Sequence, residues 1–157
     1  MMNFVASRLN AMKSTLRKFS RDTRGTIIIM LALAMPLLVG FLGLAIDVTN
    51  WYLSKREAQT AADAAALAGA YQLYHTNDTG IAYTAAHSGA GNNGFQNGGA
   101  QSVTPQSPPS TGGYTGDSTA VEVTIGESQT LYLASIILGS AVNVSTRAVA
   151  AAQRQPG

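Results

Sequence analysis

The sequence predicts an α+β fold: a single membrane-spanning helix, continued beyond the membrane, carries a small outer strand-helix-strand domain. Three observations predict it. Residues 26–46 contain no charged side chain, the alanine-rich stretch that follows has no proline, and two later segments alternate apolar with polar residues. The composition agrees: 46% of the residues are hydrophobic and 11% charged, against the roughly 25% charged that is usual for soluble domains.

The first element is a basic arm, residues 1–25. Arg8, Lys13, Arg17, Lys18, Arg21 and Arg24 stand there against Asp22 alone. The rest of the chain holds more carboxylates than bases, so the positive charge is a property of the arm and not of a patch on the body. That distribution argues against nucleic-acid binding.

Residues 26–46, TIIIMLALAMPLLVGFLGLAI, form the second element. At 1.5 Å per residue a helix of this length spans about 30 Å, the thickness of the hydrocarbon core of a bilayer. Pro36 falls mid-run and is expected to kink the helix without ending it, because lipid offers the freed backbone no other partner. The bases lie on one flank and Asp47 opens the other, which places the arm in the cytoplasm and everything after about Asp47 outside. The long arm and long apolar run also argue against a cleaved signal peptide.

Residues 47–72 should continue the helix to about Tyr71, since alanine dominates and proline is absent. Trp51 and Tyr52 stand one turn past the apolar run, either as anchors in the headgroup layer or as ordinary packing in the outer domain. Ala61 with Ala65, Ala62 with Ala66, Ala65 with Gly69, and Ala66 with Ala70 are small residues four apart. With Gly40 and Gly43 in the apolar run they make a helix-packing face that lets another backbone come close. That backbone belongs either to a neighbouring subunit or to the chain's own outer domain.

Residues 73–118 are rich in Gly, Asn, Ser and Pro and are expected to be loop, with a weak helix signal at 80–87. Residues 119–152 close the domain. TAVEVTI alternates as a half-buried strand, ESQTLYLASIILG has helical spacing with Gly139 at its C-cap, and AVNVSTRAVAAA alternates again. Residues 153–157 are a tail.

Chemistry is sparse. There is no cysteine. His75 and His87 have no carboxylate or thiol at ligand spacing, so no metal site is expected. GAGNNG lacks the strand, helix and Lys-Ser/Thr pair of a phosphate loop, and no nucleophile elbow occurs. Asp47, Glu57 and Asp63 are explained as helix-surface carboxylates. No catalytic residue and no cofactor is predicted.

RDTRGTIIIMLALAMPLLVGFLGLAIDVTNWYLSKREAQTAADAAALAGA resembles the N-terminal region of the TadE/TadG-like family of bacterial tight-adherence (Flp) pilus assembly. The shared features are Arg-Gly before the apolar run, proline within it, GLAID at its end, and the Gln-x-Ala-Ala-Asp-Ala-Ala-Ala-Leu-Ala-Gly-Ala stretch. AVEVTI and the segments after it resemble the end of the TadG-type pilin-like domain. The Asp-x-Ser-x-Ser motif of family members with a von Willebrand A domain is absent, so no metal-dependent adhesion site is implied.

The resemblance also implies a peptidase junction at Arg24–Gly25, with cleavage after Gly25. The fifth residue beyond it is Met30 and not the glutamate of pilins. The expectation is a pilin-like structural or assembly component of the bacterial inner membrane. Its partners would be membrane lipid and other pilus subunits, with copies of itself among them, and its outer domain would lie in the periplasm or at the cell surface. The alternatives are an anchored binding or adhesion module outside any filament and, more remotely, an anchored enzyme.

Overall fold

The computed structural model describes residues 23–135 and 141–152. Most of the basic arm, residues 136–140 of the expected C-terminal helix, its Gly139 cap included, and the tail lie outside them. Helix α1 is Thr23–Thr76, α2 is Thr79–Gly91, β1 is Gln101–Gln106, β2 is Ala120–Thr130 and β3 is Ala141–Ala151. The long apolar helix and the antiparallel sheet make the fold α+β, and α1 is long and apolar enough to cross a membrane. The chain divides at Gly43/Leu44 into two compact units.

In the first unit α1 runs through Pro36. From Ile27 to Ile46, across the division, the large apolar side chains of the charge-free run are 44–70% exposed. Water would penalise so continuous an apolar surface, whereas lipid accepts it.

The second unit, the head, is built on the rest of α1. The helix outlasts the expected end near Tyr71 and stops where Asn77 turns left-handed, at φ 50°, a conformation asparagine tolerates. The Asp78 carboxylate then accepts from the amides of Gly80 (2.7 Å) and Ile81 (3.2 Å), capping α2.

The three strands form an antiparallel meander in the order β1-β2-β3. Register pairs Val103 with Ile125 and Val123 with Ala148, so Val103, Val121, Val123, Ile125 and Ala148 share the face that joins the core. Pro105 is tolerated because β1 is an edge strand. The core unites that face with Ala58, Ala61, Ala62, Ala65 and Ala66 of α1 and Ala82, Ala86 and Ala90 of α2.

Two sequence expectations need correction. Residues 73–118, expected as loop apart from a weak helix signal at 80–87, contain the end of α1, all of α2, which includes 80–87, and β1. Residues 127–130, expected to begin a helix, are the end of β2. There Glu127 accepts from Ser54 of α1 and Gln101 of β1, partners that hold it in the sheet.

Candidate functional site

The small-residue face of α1 is a seam inside the head. Ala61, Ala62 and Ala65 are 0% exposed, and Ala66 and Ala70 are almost as deeply buried. A Cβ on Gly89 of α2 would stand 3.0 Å from Ala65 Cα and 3.1 Å from Ala64 O, so the two helix backbones nearly touch. A Cβ on Gly69 would stand 3.0 Å from Val121 Cγ1 of β2, 3.3 Å from Ala82 O and 3.4 Å from Ala86 Cβ of α2. Of the two backbones that could approach the alanine face, the chain's own head supplies the one seen. These alanines are therefore part of the core of the head itself.

The other sequence-marked residues are placed as follows. Arg24 and Gly25 lie in the first turn of α1, with open space around Gly25. Gly40 also has nothing within 4 Å, while Gly43 is buried. Trp51 and Tyr52 are 45% and 60% exposed, so neither ring is consumed by packing in the head. His75 lies edge-on to Tyr71 and Tyr74 at the end of α1. Among the described residues no group of three or more His, Asp or Glu is gathered to hold a metal ion.

Asp47 is not the helix-surface carboxylate that the sequence suggested. It is 4% exposed and accepts three backbone N–H bonds, from Tyr132 (3.0 Å), Leu133 (2.8 Å) and Ala134 (2.6 Å). The bonds from Ala134, Tyr132 and Leu133 hold its carboxyl below the ordinary 3.8 against the opposing effect of burial. The first residue after the apolar run thus clamps the turn that follows β2.

Farther along, the Ser54 hydroxyl donates to Glu127 (2.6 Å) and accepts from Gln129 (2.8 Å). Burial pushes the Glu127 carboxyl up, but its bonds from Gln101, Ser54 and Gln129 outweigh that and lower it. An open groove of about 520 Å³ beside this cluster is lined by Asn50, Leu53, Glu57 and Tyr132 among others.

On the outer face of the sheet, Arg147 pairs with Glu122 (2.5 Å) and donates to Thr111 O. Glu122 accepts from the Ser110 amide (3.2 Å), so the pair straps the segment between β1 and β2 over the sheet. The hydrogen bond from Arg147 lowers the Glu122 carboxyl. None of these side chains was marked by sequence, because the pairs are 25 and 73 residues apart and follow no motif.

No curated protein and no solved structure matches the chain. Residues 25–72 match a family model described as Flp pilus-assembly TadE/G-like. That span covers the apolar run, Asp47 and the α1 side of the seam, and the family is the one that the sequence motifs resemble.

Proposed function

We propose that the protein is a pilus-assembly component of the tight-adherence type, anchored by residues 26–46 in the bacterial inner membrane with its head on the outer side. The observation that carries this reading is the match of residues 25–72 to the Flp pilus-assembly model. The apolar surface from Ile27 to Ile46 supports it, since lipid or the apolar helices of other subunits would cover that surface. The work assigned to the chain is structural, through the anchor and the surface of the head.

The internal seam favours a second reading. Packing of a filament subunit through its alanine helix, one of the two expectations for that face, meets alanines that are buried in the head. If the chain enters a filament, contact falls to the apolar run around Gly40 and to exposed side chains such as Leu67 and Tyr71. If it does not, it is an anchored module beside the apparatus.

Fractionation of piliated cells separates the two readings. Recovery of the chain in sheared surface filaments supports a pilin-like subunit. Recovery in the inner membrane alone, with piliation lost on deletion, supports the assembly component. Normal piliation after deletion would refute both.

A further inference from the structure

The turn after β2 is bonded to the residue at which the charge-free run ends. Asp47 is the first residue beyond the charge-free run, and three consecutive backbone amides of Tyr132, Leu133 and Ala134 bond to its carboxylate. Trp51 lies four residues farther along α1, which is about 6 Å farther from the membrane at the rise of a helix. The headgroup layer on each side of the hydrocarbon core is itself only about 5–7 Å thick. A turn held at Asp47 therefore lies within or beneath that layer.

Its side chains suit that place. Tyr132 is 71% exposed and Leu133 is 39% exposed, so both point away from the core of the head. No charged residue occurs between Glu127 and Arg147, so nothing there resists entry into an interface. Tyrosine prefers the headgroup level, with its ring toward the acyl chains and its hydroxyl toward water.

Resting on the reading of residues 26–46 as a membrane anchor, we infer that the turn at Tyr132–Leu133 is a second membrane contact, inserted into the lipid headgroup layer beside the helix. The partner is the lipid surface, since the exposed turn carries no charge and is bonded to the residue that follows the charge-free run. Two contacts on one head restrict its tilt and its rotation about the helix, which a single helix crossing would leave free. Asp47 is the positioning residue.

The test uses the full chain in phosphatidylcholine vesicles, one set brominated high on the acyl chains to reach the turn and one brominated deep to reach the anchor. Trp51 is the sole tryptophan, so a Trp51→Phe background allows single reporters. Tyr132→Trp and Leu133→Trp probe the turn, and Leu38→Trp probes the anchor. Tyr114→Trp probes the far end of the head, near the start of β2, about 33 Å of strand from Thr130.

Tyr132→Trp and Leu133→Trp are expected to lose about half their emission to the brominated lipid, with Leu38→Trp quenched and Tyr114→Trp unchanged. If Leu38→Trp is quenched and both turn reporters are not, the second contact is overturned while the anchor stands. A concentration-dependent blue shift in that case would assign the turn to another copy of the chain. If Leu38→Trp is itself unquenched, the anchor reading fails and this inference fails with it. Quenching at all positions, Tyr114→Trp included, would also overturn it, because the head would then be collapsed on the surface.

Discussion

Adding a single methyl group to α2 should have opposite effects at two positions two residues apart. At Gly89 a Cβ would lie 3.0 Å from Ala65 Cα, 3.1 Å from Ala64 O and 3.2 Å from Ala68 Cβ, where ordinary contact begins near 3.4 Å. Two of those atoms are α1 backbone, so relief requires the helices to part, and overpacking of this kind costs about 1–3 kcal/mol. Replacing glycine by alanine inside a helix also gains about 1 kcal/mol, which leaves Gly89→Ala destabilising by about 1 kcal/mol. At Gly91 the nearest atoms are the Gln96 side chain at 3.6 and 3.8 Å. Gly91→Ala should therefore keep a gain of about 0.5–1 kcal/mol. At about 4–8 °C per kcal/mol for a domain of this size, the two variants should melt at clearly separate temperatures, on either side of the parent. Thermal melting of the full chain in micelles, followed by hydrogen exchange of the α2 amides, reads the difference. Equal melting temperatures, or a higher one for Gly89→Ala, would refute the close seam.

Three further predictions test the rest of the head. Ala65→Leu, at a fully buried position, should cost about 1–3 kcal/mol or more, while Leu67→Ser, at a residue 65% exposed, should stay within about 0.5 kcal/mol of the parent. Loss of piliation from Leu67→Ser without loss of melting temperature would mark a contact with the apparatus. Acid should weaken the head. Asp47, Glu122 and Glu127 all have folded carboxyl pKa values below their ordinary 3.8 and 4.5, so the stability they contribute is complete above about pH 4.5 and lost as pH falls through the folded values. Melts at pH 7, 5 and 3 should show little change between the first two and a clear drop at the last, smaller in Glu122→Gln. Arg147→Ala removes the tie to Thr111 and the partner of Glu122; the Ser110 amide should exchange faster, with the α2 amides unaffected.

The sequence displays what depends on runs of like residues. The charge-free stretch, the alanine-rich continuation of α1 and the alternation Val121, Val123, Ile125 each repeat one signal several times, and each matches an element. Helix α2 gives only a weak sequence signal, at 80–87, because its buried face is Ala82, Ala86 and Ala90 among glycines and polar residues and carries little apolar mass. Its signal was the spacing of four, together with Asp78 ahead of Thr79 and Gly80 as a cap. Strand β1 buries one aliphatic residue, Val103, and contains Pro105, so it is recognisable only from its partner strand. The Asp47 clamp was invisible in principle: a lone carboxylate after an apolar run looks like a solubilising charge until three amides 85–87 residues away are seen to meet it.

The clamp and the seam together bear on how the chain could be recognised. Small residues on a helix are useful wherever backbones must approach, and here the approach is made by α2. A partner therefore has to read what the seam leaves outside. On α1 of the head this is Trp51, Tyr52, Leu53, Leu67, Tyr71 and Tyr74, all 44–65% exposed, and large amphipathic side chains of this kind dominate protein contacts. In the apolar run the choice is different, because lipid already satisfies apolar side chains and only close packing or hydrogen bonds favour a helix over it. Gly40, open on every side, is the position where such packing costs least. A Gly40→Leu change that leaves membrane insertion and melting of the head intact but abolishes piliation would place the partner in the bilayer. The same outcome from Leu67→Ser and Tyr71→Ser would place it on the head.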